Sequence, residues 1–222
     1  MASSRTIIVA GAGIGGLTVA LTLANAGFRV IVLEQAERLE EAGAGLQLSP
    51  NAARILVSLG LGGQIADNAV APEAIAIGAA NGRSLARIPL GEKAEQRYGA
   101  PYWAIHRADL HSVLLEECLR REGISLFAGT KVTGFRDHGD RVGVELATGE
   151  HREAAALIGA DGLWSSIREG IVADGPPRVS GHIAYRAVLP IAEVPEHLRL
   201  NNMTLWAGPK RSEERRVGKE CR

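Results

Sequence analysis

The hydrophobic pattern changes period several times along the chain, and each change marks an element. Thr6-Ile7-Ile8-Val9-Ala10 is a short β-branched run with almost no polar position, which predicts a buried strand. Leu17 to Ala26 is helix-forming, and Gly27 follows where a helix C-terminus favours glycine. A second apolar run, Phe28-Arg29-Val30-Ile31-Val32-Leu33, stops at Glu34. Strand, glycine turn, helix and strand make a βαβ unit. No residue from Thr6 to Phe28 is charged, so the run imitates a signal peptide or a membrane span. Gly11, Gly13, Gly15 and Gly16 interrupt it, and a spanning helix would lose rigidity at each. The expectation is a soluble, cytoplasmic protein.

Farther along, Ala42 to Asn51 reads as a second glycine-rich turn, followed by a helix from about Ala52 to Leu59. Ser49 is its expected N-cap, with Pro50 in the first turn. Residues 69–103 read as short strands and turns. His106-Arg107-Ala108-Asp109 then leads into an amphipathic helix carrying Leu110, Val113, Leu114, Cys118 and Leu119. Gly123 closes that helix, and Ile124 to Ala128 reads as another parallel strand. From Lys131 to His151 the period becomes two, through Val132, Phe135, Val142, Val144 and Leu146, which predicts an antiparallel meander. Leu157-Ile158-Gly159-Ala160 is again a short apolar strand before Asp161-Gly162. The fold class is therefore α/β, a parallel sheet interrupted by a small antiparallel meander.

Composition narrows the function classes. Lysine plus arginine equals aspartate plus glutamate at 25 each, which removes the broad electrostatic argument for nucleic acid or an anionic membrane. Two cysteines exclude a disulfide scaffold and a cysteine-rich zinc site. The six histidines show no paired metal-ligand spacing, so no metal is expected and each reads as a solvated or core histidine. Cys118 reads as a small core residue. Glycine is the excess residue, 27 of 222, and its clusters are where chemistry is sought.

Gly11, Gly13 and Gly16 satisfy G-x-G-x-x-G between a strand and a helix. In a dinucleotide-binding turn the first glycine permits the tight turn. The second lets backbone approach a pyrophosphate, and the third lets the helix pack on the sheet. A helix starting near Ile14, with Gly15 in its first turn, offers unpaired N–H groups and a positive dipole end to phosphate. Glu34, at a strand end about 20 residues past the glycines, is placed to accept both ribose hydroxyls of an adenosine. Its charge repels a 2′-phosphate, so FAD or NAD suits the turn and NADP does not. An ordinary surface glutamate on a βαβ unit is the other reading.

Over residues 5–209 the chain resembles the FAD-dependent aromatic hydroxylases, single-component flavoprotein monooxygenases that include salicylate and hydroxybenzoate hydroxylases. The resemblance rests on Gly11 to Gly16 with Glu34, on Gly45-Leu-Gln-Leu-Ser-Pro-Asn51, on Arg107 in His-Arg-Ala-Asp-Leu, and on Leu157-Ile-Gly-Ala-Asp-Gly-Leu-Trp-Ser-Ser-Ile-Arg168. It implies bound FAD, NAD(P)H as co-substrate, dioxygen, and a small aromatic substrate, with no nucleic-acid or membrane partner. It also implies that Arg107 lies along the ribityl and pyrophosphate, that Val132 offers backbone near the adenine, and that Asp161 sits by the FAD. Arg168 could contact phosphate, and Tyr185-Arg186 resembles the entry into the substrate domain. No ring-activating catalytic residue can be named. Another FAD enzyme of the same superfamily, a fragment that holds FAD poorly, and a plain NAD dehydrogenase stay open as alternatives.

By the same resemblance, residues 1–174 are a Rossmann-like FAD-binding domain and 175–210 begin a β-sheet substrate domain. Residues 211–222 are highly charged and resemble the translated read-through of a sequencing adapter; a solvated tail is the plainer reading. The family continues well past this point. The strand near Thr204-Leu205-Trp206 is therefore expected to be an exposed edge.

Overall fold

The computed structural model describes residues 5–39, 43–183, 185, 187–208 and 211–215, the last five by backbone alone. The first elements are β1 (Thr6–Ala10), α1 (Ile14–Asn25), β2 (Arg29–Leu33), β3 (Gly45–Leu48), α2 (Pro50–Ser58) and α3 (Gly62–Asn68). Then come β4 (Ala74–Ala79), β5 (Ser84–Pro89), α4 (Glu92–Tyr98), β6 (Trp103–His106) and α5 (Arg107–Arg120). The chain continues through β7 (Ile124–Phe127), β8 (Val132–Asp137), β9 (Val142–Leu146), β10 (His151–Ala154) and β11 (Ala156–Gly159). The last elements are α6 (Ser166–Val172), β12 (Asn202–Gly208) and β13 (Arg211–Arg215). They fall into two units, each discontinuous in sequence: the described residues of 1–41 with 111–183, and those of 42–110 with 184–222.

The first unit is built on a parallel sheet in the order β11-β1-β2-β7. β1 is paired on both sides, Ile8 opposite Ile31 and Leu157, which is why its sequence carries no charge. Side chains alternate across the sheet, so Ile8 and Ala10 share one face and Ile7 and Val9 the other. Ile8, Ala10 and Leu33 pack into one core with Val132, Val142, Val144 and Leu146 of the meander β8-β9-β10 and with Ile167 of α6. α1 lies against β1 and β2, burying Leu17, Ala20 and Leu21. The parallel sheet with an antiparallel excursion is thus as the sequence predicts.

The second unit holds a sheet in the order β13-β12-β4-β5 and the antiparallel pair β3-β6. Three expectations are corrected here. Residues 45–48, read as part of a turn, form a strand because Gly45 to Leu48 pair with Trp103 to His106. Residues 69–103 contain a helix, Glu92–Tyr98, which buries only Ala94 and so shows no apolar period. β12, expected at an exposed edge, is interior, with β4 parallel on one side and β13 antiparallel on the other. The charged segment from Arg211 to Arg215 forms β13, paired antiparallel with β12. Residues 216–222 lie outside the described residues.

Candidate functional site

The turn after β1 is shaped by contacts between backbones. Gly11 has φ 105°, a conformation that L side chains rarely adopt, and its N–H donates to Leu33 O at 2.7 Å. A Cβ on Gly11 would lie 2.2 Å from Ala160 O, and one on Gly16 would lie 2.0 Å from Gly11 O. These two glycines let three chain segments cross: the end of β1, the first turn of α1, and the residues after β11. Gly13 differs. Its φ of −71° and ψ of 178° suit any residue, so local backbone geometry does not demand glycine there. A Cβ on Gly15 would meet nothing within 4 Å.

α1 begins at Ile14 with no side-chain cap and no acidic residue in its first turn. Its first cross-turn bond runs from Leu17 N–H to Gly13 O, at 3.0 Å. The N–H groups of Gly13, Ile14, Gly15 and Gly16 meet no acceptor among the described residues. Four such donors at the positive end of a 12-residue helix have the chemistry to receive an anion.

Glu34 stands beside this turn, just past the end of β2. Its Oε2 accepts from Ala12 N–H at 2.7 Å and its Oε1 from Ala36 N–H at 2.8 Å. The same strand end receives the chain entering the meander: Thr130 N–H donates to Glu34 O at 2.7 Å, and Gly129 N–H to Ala36 O at 2.9 Å. Val132 follows as the first residue of β8, its side chain in the core. The structure therefore gathers Gly11, Gly13, Ile14, Gly15, Gly16, Glu34 and the segment leading to Val132 at one end of the parallel sheet.

Asp161 follows β11, next to Gly11. Its carboxylate turns onto its own segment, accepting from Ser165 Oγ at 2.5 Å and from Ile167 N–H at 3.3 Å, and so ties down the start of α6. Arg168, expected to be able to contact phosphate, pairs with Asp174 in this structure, which holds that carboxyl below its usual range. Arg107 belongs to the second unit. There it opens α5, its N–H donates to Ala44 O at 3.3 Å, and a Cβ on Gly43 would lie 2.8 Å from its Cδ. Tyr185 is exposed and in no strand, and Arg186 lies outside the described residues.

One residue that sequence reasoning passed over belongs to the turn. His111 of α5 is 4% exposed, and its Nε2 lies 2.8 Å from Ala12 O. The signal was its spacing, since His111, Leu114 and Cys118 share the buried face of α5 at i, i+3 and i+7.

These features suit the adenosine and pyrophosphate half of FAD: free donors at a helix start, open space over Gly15, and a carboxylate at the strand end. Among the described residues no group of three His, Cys, Asp or Glu could hold a metal ion, and no helix is long and apolar enough to cross a membrane.

Comparison with known proteins agrees. A family model described as an FAD binding domain matches residues 4–199. The chain is 43% identical over 205 residues to 3-hydroxybenzoate 6-hydroxylase 1 of Aquipseudomonas alcaligenes, covering 92% of this chain and 52% of that protein. It is 36% identical over 195 residues to 6-hydroxynicotinate 3-monooxygenase of Pseudomonas fluorescens, covering 87% and 50%. The structure of Klebsiella pneumoniae HpxO complexed with FAD and uric acid superposes with a TM-score of 0.75 at 25% identity, over 95% of this chain and 52% of that one. The chain spans about half the length of the curated relatives it matches. From the turn, the carboxylate beside it and the match over nearly its whole length, the chain belongs to the FAD-binding domain family of flavoproteins.

Proposed function

We propose that this chain is part of a monooxygenase that hydroxylates a small aromatic ring of the phenolic or carboxylated kind. NAD(P)H is the reductant and dioxygen the oxygen source. One oxygen atom enters the ring C–H bond as a hydroxyl, and the other leaves as water, with NAD(P)H and a proton supplying two electrons and two protons. Bound FAD supplies the redox chemistry that connects NAD(P)H to dioxygen. The relatives' names support the substrate class, since hydroxybenzoate and hydroxynicotinate are both hydroxylated aromatic acids. A cytoplasmic location accords with the use of NAD(P)H.

The chain's own residues bind and orient. The N–H groups of Gly13, Ile14, Gly15 and Gly16 receive the pyrophosphate. Glu34 accepts the ribose hydroxyls with the lone pairs that Ala12 and Ala36 leave open. In the same reading the backbone at Val132 meets the adenine, and Arg107 meets the ribityl and pyrophosphate. Asp161 holds the segment by the flavin. Residues 1–174 serve FAD, 175–210 begin the part that receives the aromatic substrate, and 211–222 are extraneous to function.

The single observation that carries this reading is the set of donors at the start of α1 lying beside a carboxylate fixed at the end of β2. Titration of the chain with FAD, followed by flavin fluorescence, tests it. Saturable one-to-one binding is expected, and an unaltered flavin signal across the titration would refute it.

A further inference from the structure

His111 is the one buried polar or charged side chain in the core of the described residues, and it is spent on the glycine turn. A carbonyl oxygen only accepts hydrogen bonds, so His111 Nε2 carries the proton and donates to Ala12 O. Ala12 is itself 2% exposed, and its N–H is held by Glu34 Oε2 from just past the end of the neighbouring strand β2. Both polar groups of Ala12 are therefore fixed by side chains from two different elements. α5 and the residue after it are keyed to α1 and the turn before it at three levels: His111 to Ala12 O, Cys118 Sγ to Leu17 O, and Arg121 to Asn25 Oδ1. The donor on Ala12 thus comes from a helix whose position is set along the full length of α1.

The consequence lies in one peptide plane. Ala12 C=O and Gly13 N–H belong to the same trans peptide, in which the two groups point in opposite directions. Drawing Ala12 O towards His111 turns Gly13 N–H the other way. That N–H is one of the donors without an acceptor among the described residues. Glycine at 13 also makes this peptide easy to rotate, because no Cβ resists alternative φ and ψ on its far side. A rotated peptide would replace a donor by a carbonyl oxygen, which repels phosphate. We propose that His111 is a positioning residue for the cofactor: by donating from Nε2 to Ala12 O it locks the 12–13 peptide with Gly13 N–H facing the pyrophosphate. This rests on the FAD-binding reading above and deepens it.

The test compares His111→Leu, His111→Gln and His111→Asn in the full chain, each titrated with FAD and, as a probe of the adenosine and pyrophosphate half alone, with ADP. A glutamine amide nitrogen can occupy the place of Nε2, and an asparagine nitrogen falls short of it. The Leu and Asn variants should bind both ligands at least about tenfold more weakly, while Gln stays within about threefold of wild type. Affinity is read on folded protein, so a role confined to core stability would leave all three unchanged. Wild-type affinity in the Leu variant, or Asn and Gln behaving alike, overturns the proposal. Should the Leu variant not fold, the Asn and Gln pair decides, together with the ¹⁵N spectrum of His111. A proton on Nδ1 in place of Nε2 in the ligand-bound chain also overturns it. Failure of wild type to bind either ligand would instead sink the FAD reading, and the proposal with it.

Discussion

Glu34 holds backbone on both of its oxygens, so replacing it removes more than the proposed ribose contact. Glu34→Ala should strand the buried Ala12 N–H and forfeit charge-assisted bonds to ribose, each contributing roughly 1.5–3 kcal/mol. Loss of two such bonds weakens FAD by about a hundredfold or more. Glu34→Gln retains one oxygen for Ala12 and should fall between wild type and alanine. A fluorescence titration in which all three bind FAD equally would remove the ribose assignment. Cys118 is a separate matter: burial, reinforced by Glu117, pushes its thiol up to about 12 despite Arg121 nearby. It stays protonated at neutral pH, and alkylation by iodoacetamide should be far slower in folded than in urea-unfolded chain. The spacing of Glu34 from the glycines was legible from the strand it ends. Its bond to Ala12, and that of His111, were not, because both depend on where a distant backbone atom falls in three dimensions.

At the scale of elements, the glycines of the turn divide into two kinds with opposite predictions. Gly16→Ala would place a methyl against Gly11 O, a backbone atom already fixed by its place at the end of β1, so α1 must be pushed off the sheet. The expected cost is about 1–3 kcal/mol or more, seen as a lower urea midpoint with an unchanged slope. Gly15→Ala meets open space and should leave stability unchanged or raise it by up to about 1 kcal/mol. A Gly16→Ala chain as stable as wild type would contradict the packing at this crossing. In the second unit, Gly43→Ala should displace the Arg107 side chain, whose Cδ lies 2.8 Å from the added carbon. Elements with a strong period were legible from sequence: β1, α1, β2, the meander and the inner face of α5. α4 was not, because a helix that buries one alanine leaves no apolar stripe. The strand at Gly45–Leu48 was hidden too, since its partner lies at Trp103–His106, more than fifty residues away.

For the whole molecule, sequence order is a poor guide to assembly. Both units are discontinuous, and the sheet of the second joins residues 74–79 to 202–207 in parallel register. A reading that moves along the chain sees Ala74–Ala79 and Asn202–Gly208 as isolated strands and cannot pair them. This pairing and β13 make β12 an interior strand. The chain spans about half the length of its curated relatives, and the turn in its first unit suits the adenosine and pyrophosphate of FAD. Hydroxylation is expected to need the further length those relatives carry. Residues 1–222, supplied with FAD, NADH and 3-hydroxybenzoate, should give no hydroxylated product above background by chromatography. Product formed in step with NADH consumption would overturn that expectation.

The most direct test of the central claim, that the glycine turn is a pyrophosphate site, is a calorimetric titration of ADP into the wild-type chain and into Gly13→Val. Backbone conformation at Gly13 is open to any residue, so the substitution should leave the melting temperature of the unliganded chain close to wild type. The added side chain would occupy space the pyrophosphate needs. The account predicts one-to-one binding of ADP to wild type and none to Gly13→Val at equal folded concentration. Equal affinity in the two proteins would show that the turn serves packing alone.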